Sequence, residues 1–490
     1  MAHNPIKSLA GQTAVYGMGT IVPRLLNYML VPIYTRVFED QATYGQITEL
    51  YAYIAFLMVF LTYGMETAFF RYAQKNDPKK VFNTTMSAIL VTTSVFLLFV
   101  FLFYKPIANW MQYSGNSEYI LIVALIVAFD AVSAIPFAML RKLNKARKFA
   151  MIRLVNVFLT VALNLLTIIA FPVFFTHIAV QWFGNETGLV IWVFISNFLA
   201  SVLSLLMLGS LFRSFKWSFD SVLLKAMLRY AWPILVIGLA GMVNEMLDKI
   251  LLKYLLKPEE QPMAQLGIYG ANYKLGVLMT LFIQMFRFAA EPFFFAEAEK
   301  KDAPHLFARV MNYFVIVGLL IFLTVMLYMD IFKIFIGKSY REGLYIVPIV
   351  LMANLVNGVY YNLAIWYKLT DRTLSGAYIA LGGAAITIVL NILLIPSFGY
   401  HGAAWTRLLT YILMMLVSFY WGQKVYKIPY NVGRLLVYAA VALLMFFVSK
   451  YFIVFSPVVN IALNTLLIGL FAFVGFRYEM KHTPQPTADE

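Results

Sequence analysis

The side chains with chemistry to offer are the charged and amide groups that interrupt otherwise apolar stretches. A charge near the centre of a bilayer costs at least about 2.5–3.5 kcal/mol, so each such group needs a partner or a task. Arg24 lies in Thr20-Ile21-Val22-Pro23-Arg24-Leu25-Leu26-Asn27-Tyr28. At helical spacing Gly17, Thr20, Arg24, Asn27 and Tyr28 share one face, a polar stripe on an apolar helix. Pro23 and Pro32 free backbone carbonyls, which is tolerated where a helix lines a cavity. The alternative is that Arg24 snorkels to an interface, a long reach from its depth.

A second cluster is Asn244, Glu245, Asp248 and Lys249. Glu245 and Lys249 are four residues apart in the favourable order, so a self-neutralising pair is one reading. Asn244 and Asp248 form another pair at the same spacing, and an acid beside an amide inside a helix suits cation or proton coupling. Lys274 follows near the outer end of the next span, then Arg287 and Glu291, again four apart. For this last pair a structural ion pair is favoured over ligand contact. Arg407 enters a later span near its outer side. Asp130 lies mid-span with no local partner, so it must find one on another helix or hold a proton. Glu66 has Arg71 five residues on, a poor helical register, and suggests a gate or a structural cap.

The cations Arg24, Lys249, Lys274, Arg287 and Arg407 outnumber the acids close enough to neutralise them if Asp130 and Glu66 are engaged elsewhere. A cavity with surplus positive charge favours an anion, and the guanidinium fork suits phosphate. Other chemistries are excluded by composition. With no cysteine there is no thiolate nucleophile, disulfide or cysteine metal site. His3, His177, His305, His401 and His482 have no ligand spacing, so no metal site is expected. Gly337-Lys338 lacks the upstream glycine of a nucleotide-binding loop, so the chain is not itself an ATPase.

The elements that must position these groups follow from composition. The 490 residues are 62% hydrophobic and 12% charged, against roughly 45–50% and about 25% in soluble domains. The mean hydropathy is +0.78. Apolar runs fall near 9–35, 44–70, 81–104, 119–140, 150–175, 187–212, 230–256, 264–295, 308–332, 344–367, 373–395, 402–425, 430–453 and 456–477. Each is long enough for a bilayer core of about 30 Å. With the N-terminus inside, 25 lysines and arginines fall on the inner side and eight on the outer. That excess supports the span count and places both termini in the cytoplasm. It also explains the formal charge of +15 without nucleic acid. The cluster Arg141–Lys148 is a topology determinant with some attraction to anionic lipid.

The chain repeats itself at a shift of 225 residues. Residues 44–86 and 269–311 share 11 identities in 43, including Glu66 with Glu291 and Asp77 with Asp302. About 3 or 4 would arise by chance. Six spans separate the copies, so they run parallel and are related by an axis along the membrane normal. The expected fold is an all-α polytopic membrane protein of about fourteen transmembrane helices. Two parallel six-helix lobes, 1–220 and 221–428, surround a central cavity, followed by extra helices at 429–480 and a disordered tail at 481–490. This is the plan of a secondary transporter.

Several segments resemble a known family: Gly11–Thr13, Pro23–Tyr28, Pro32–Phe38, Tyr44-Gly45 and Tyr63–Arg71. They are similar to the Wzx-type polysaccharide-biosynthesis flippases of the multidrug/oligosaccharidyl-lipid/polysaccharide exporter superfamily, with the closest look to lipopolysaccharide or O-antigen flippases. The resemblance implies a non-enzymatic flippase in the bacterial inner membrane. It would move undecaprenyl-pyrophosphate-linked oligosaccharide to the outer leaflet by alternating access, with cavity cations meeting the pyrophosphate. Arg24 matches the family's first-span basic position, and the repeat nominates Lys249. The implied partners are the lipid-linked oligosaccharide, membrane lipids and polysaccharide-assembly proteins. No cofactor is expected beyond a coupling cation, H+ or Na+. The competing readings are a cation-coupled multidrug antiporter of the same fold and a membrane-embedded polymerase or ligase. The first conflicts with the cavity's positive charge, and the second would need a sizeable outer loop.

Overall fold

The computed structural model describes residues 17, 19–174, 186–213, 215–452 and 456–481. His3, His177, His482, all but the last residue of the outer loop expected at 175–186, and the tail beyond Lys481 lie outside them. All regular structure among the described residues is helical. In order the helices are α1 (19–28), α2 (Val31–Val37), α3 (Gln41–Thr62), α4 (Met65–Tyr72), α5 (Pro78–Trp110), α6 (Glu118–Lys142), α7 (Ala146–Asn164) and α8 (Glu186–Met207). Then come α9 (Ser221–Leu255), α10 (Pro262–Lys274), α11 (Val277–Glu297), α12 (Ala303–Leu327), α13 (Val347–Leu363), α14 (Ile365–Leu369), α15 (Thr373–Val425), α16 (Val432–Phe452) and α17 (Pro457–Lys481).

Twelve helical segments among the described residues are long and apolar enough to cross a membrane. One of them, α15, has 53 residues, about 80 Å at 1.5 Å per residue and far more than a bilayer core. Gly399 (φ 56°, ψ −138°) breaks it into two spans. With the N-terminal segment 19–37 this agrees with the expected fourteen. The protein is a multi-pass helical membrane protein.

The starts of α3, α5 and α9 are set by aspartate side-chain caps. Asp40 accepts from the Ala42 and Thr43 amides at 3.1 and 3.2 Å, Asp77 from the Lys79 amide at 3.1 Å, and Asp220 from the Leu223 amide at 2.8 Å. The bend between α3 and α4 falls at Tyr63 and Gly64, both left-handed with φ of 31° and 74°. A Cβ on Gly64 would also press on the Ala231 carbonyl at 2.8 Å.

The chain divides into two compact units between Gly270 and Ala271. In the first, α6 is the most buried span. Met65, Phe69, Phe82, Met86, Ile135 and Met227 form a core joining α4, α5, α6 and α9. Helix α9 packs along α3 and α4, so it falls in this unit although the sequence register assigns it to the second copy of the repeat. In the second unit α12 is the most buried span, and α16 and α17 dock on it. Glu479 fixes that docking: it accepts from Asn312 at 2.9 Å, Arg434 at 3.2 Å and Tyr438 at 2.6 Å. The remaining apolar surface, such as Phe101 and Leu102 on α5 at 67% and 63% exposure, is what a lipid-facing helix presents.

The repeat is visible in the caps and clasps. Asp77 and Asp302 each sit at the N-cap of the following helix. Glu66 is clasped by Arg141 at the end of α6 in the first unit, and Glu291 by Lys368 on α14 in the second. The copies differ in where the chain bends. The second breaks at Leu275-Gly276, between α10 and α11, and α11 runs straight through the position that matches Tyr63-Gly64.

Candidate functional site

In the first unit α9 carries the acid–amide–base cluster. Asp248 and Lys249 are 4% and 6% exposed. The Lys249 ammonium donates to the Glu245 backbone carbonyl at 3.0 Å and lies 3.5 Å from an Asp248 carboxylate oxygen. The Tyr269 hydroxyl donates to the other Asp248 oxygen at 2.5 Å. The ammonium thus meets the main chain of Glu245 and the carboxylate of its own neighbour. Asn244, one turn before Asp248, is buried on the same helix.

One turn further along α9 lies a site that the sequence reading missed. Lys253, read as an outer-side topology charge, is 6% exposed, and its partner Glu49 on α3 is completely buried. Their charged atoms are 3.0 Å apart. The Tyr113 hydroxyl donates to the same Glu49 oxygen at 2.5 Å. Lys253 also donates to the Met111 carbonyl at 2.7 Å and stands 3.9 Å over the Tyr113 ring. A clue was present: Glu49 sits at the position that matches Lys274 under the 225-residue shift.

Asp130, on α6, lies near side chains of two neighbouring helices. Arg153 on α7 acts on it electrostatically, and the Ser201 side chain of α8 lies beside it. Arg153, one of the cations counted on the inner side, lies within α7, its guanidinium 4.2 Å from the Phe137 ring. Arg24 is exposed on α1 and close enough to Arg153 to act on it as a like charge. These three form one polar group in the first unit.

In the second unit the expected Arg287–Glu291 pair is not made. Glu291 is held by Lys368 at 2.6 Å, because Lys368 approaches it from α14 while Arg287 turns one helical turn away. The Arg287 guanidinium lies 4.0 Å over the Tyr361 ring. Arg407 is 3% exposed, donates to the Tyr273 hydroxyl at 2.9 Å and lies 4.8 Å from that ring. Lys274, half-buried, follows Tyr273 directly. Among the described residues Arg24, Lys274 and Arg287 make no ion pair. Glu66 and Glu291 act as clasps within their own units. No group of acidic or histidine side chains among the described residues could hold a metal ion.

Residues 9–297, more than half of the chain, match the family described as polysaccharide biosynthesis protein. The chain belongs to that family. No curated protein matches it. Among solved structures, a lipid II flippase MurJ in an inward closed conformation is similar with a TM-score of 0.69 and 14% identity, covering 95% of this chain and 100% of that one. An inward-facing multidrug resistance MATE family transporter of the MOP superfamily gives 0.65 and 11%, covering 84% and 97%. A mutant form of the Vibrio cholerae MATE transporter VcmN gives 0.53 and 12%, covering 85% and 96%. At these identities the likeness is one of fold, and this polysaccharide biosynthesis protein shares it with flippases and drug transporters alike.

Proposed function

We propose that this protein is a secondary transporter that flips an undecaprenyl-pyrophosphate-linked oligosaccharide from the cytoplasmic to the outer leaflet of a bacterial inner membrane. Both termini face the cytoplasm, the two lobes alternate access to a basic cavity, and the protein performs no covalent chemistry. The observation that carries this reading is that Arg24, Lys274 and Arg287 have no carboxylate partner among the described residues, in a member of the polysaccharide biosynthesis family. A sugar-phosphate head cannot cross lipid unaided, because desolvating an unpaired charge is prohibitive. Cations without a carboxylate partner offset that loss when phosphate arrives. Arg287 is held over Tyr361 without being neutralised by this contact. The Asp248–Lys249–Tyr269 and Asp130–Arg153 groups are where a coupling H+ or Na+ would act. The same acids would serve an organic-cation antiporter, which is the second reading.

The test is a flipping assay in proteoliposomes that follows outer-leaflet exposure of a polyprenyl-pyrophosphate oligosaccharide. Wild type should move it. Arg24→Ala and Arg287→Ala should lose about tenfold or more, the loss expected for a charge-assisted phosphate contact. Export of an organic cation with no glycolipid movement would establish the antiporter instead. Undiminished flipping in both variants would remove these arginines from the site.

A further inference from the structure

A groove of about 730 Å³ opens between the end of α4 and the first three turns of α9. Arg71 and Tyr72 line it from α4; Ser221, Lys225, Arg229 and Tyr230 line it from α9. The cations are three and no acid lines the groove. Among the described residues Arg71, Lys225 and Arg229 make no ion pair. Lys225 and Arg229 are like charges four residues apart on one helix, an arrangement that destabilises the helix. Asp220, which precedes Ser221, is already engaged by Lys80 at 2.5 Å and by the Leu223 amide. The Arg71 guanidinium lies 4.2 Å from the Tyr230 ring, which fixes it beside the groove. The start of the 35-residue helix α9 adds the partial positive charge of its free amides.

Topology alone does not account for this arrangement. Orienting a membrane protein needs lysine and arginine anywhere near the span ends, not three of them converging on one concavity without a counter-charge. The surroundings place the groove at a lipid–water boundary. Trp217 and Trp232 are 60% and 65% exposed, and Val222 is 80% exposed, as expected of residues anchoring at head-group level.

We propose that this groove binds a phosphate-bearing anionic head group, of which a glycerophospholipid in the leaflet at this end of the protein is the natural source. The phosphate accepts from the Arg71 and Arg229 forks and from the Lys225 ammonium, while its acyl chains run along the exposed apolar face of α9. The site is separate from Arg24, Lys274, Arg287 and Arg407 and does not depend on what the protein transports.

The experiment uses the full chain purified in a neutral detergent and measures lipid retention by native mass spectrometry. Phosphatidylglycerol is compared with phosphatidylcholine, and inorganic phosphate is tested separately for protection against thermal unfolding. The triple variant Arg71→Gln, Lys225→Gln, Arg229→Gln should bind phosphatidylglycerol at least about tenfold more weakly, the equivalent of about 1.4 kcal/mol. A control of equal charge loss away from the groove and from the Arg141–Lys148 cluster, Lys301→Gln, Lys424→Gln, Lys427→Gln, should bind as wild type does. Protection by inorganic phosphate that only the groove variant loses, without lipid preference, would assign a soluble phosphate as the source and keep the site. Equal binding by wild type and the groove variant, or equal loss in the control, overturns it. Lys225→Gln alone, at an exposed position, keeps the test valid if the triple variant is poorly folded.

Discussion

The buried Glu49–Lys253 pair gives the sharpest test of how the first unit is held together. Lys253→Met keeps the aliphatic stem and removes only the ammonium. Glu49 is fully buried, so its carboxylate is then left with the Tyr113 hydroxyl as its one donor. Breaking a buried pair from one side costs about 3–5 kcal/mol, because the remaining charge is stranded away from water. At roughly 2 °C per kcal/mol for a body of this size, the purified protein should melt about 6–10 °C lower. Glu49→Leu should fall by a similar amount, since it strands Lys253 against the Met111 carbonyl and an aromatic ring. Replacing both at once, with Glu49→Leu and Lys253→Met, removes both desolvated charges. Apolar replacement of a whole buried pair is often neutral or stabilising, so the double variant should recover most of the loss. A thermal-unfolding double-mutant cycle in detergent should give a coupling energy of about 2 kcal/mol or more. Additive losses, or a single Lys253→Met variant as stable as wild type, would refute the reasoning.

Other predictions follow from the same geometry. Glu479→Ala leaves Asn312, Arg434 and Tyr438 without their shared acceptor; it should cost about 3 kcal/mol or more and expose the α16–α17 pair to limited proteolysis before the rest of the chain. Glu66→Gln breaks a half-exposed clasp and should shift stability by less than about 1 kcal/mol, read in the same thermal assay. Gly45→Ala places a methyl against the Met263 carbonyl where α3 and α10 cross, and overpacking of that kind should cost about 1–3 kcal/mol in melting measurements. The Leu223 amide and then Lys80 hold the Asp220 carboxyl below its usual range. Its contribution is therefore present above the unfolded carboxylate value and lost as pH falls through the lower folded one. The melting difference between wild type and Asp220→Asn should shrink over that acidic window and stay constant at neutral pH.

The solvent, the number of spans and the repeat are legible in the chain alone. Apolar runs of bilayer length can do little else than cross a membrane as helices, because no lipid-exposed backbone can go unbonded. The matched N-cap positions of Asp77 and Asp302 and the matched acids Glu66 and Glu291 follow from a 225-residue register readable in one dimension. Charge pairing, by contrast, emerges from packing. Spacing of four residues suggests Arg287 with Glu291, yet Glu291 takes Lys368 from α14. Local pairs are worth only a few tenths of a kcal/mol. A partner on a packed neighbouring helix, held in a drier place, outweighs them. The same reason hides Glu49 and Lys253, which lie 204 residues apart in sequence. Each is unremarkable on its own helix, and only the packing of α3 against α9 buries the two charges together.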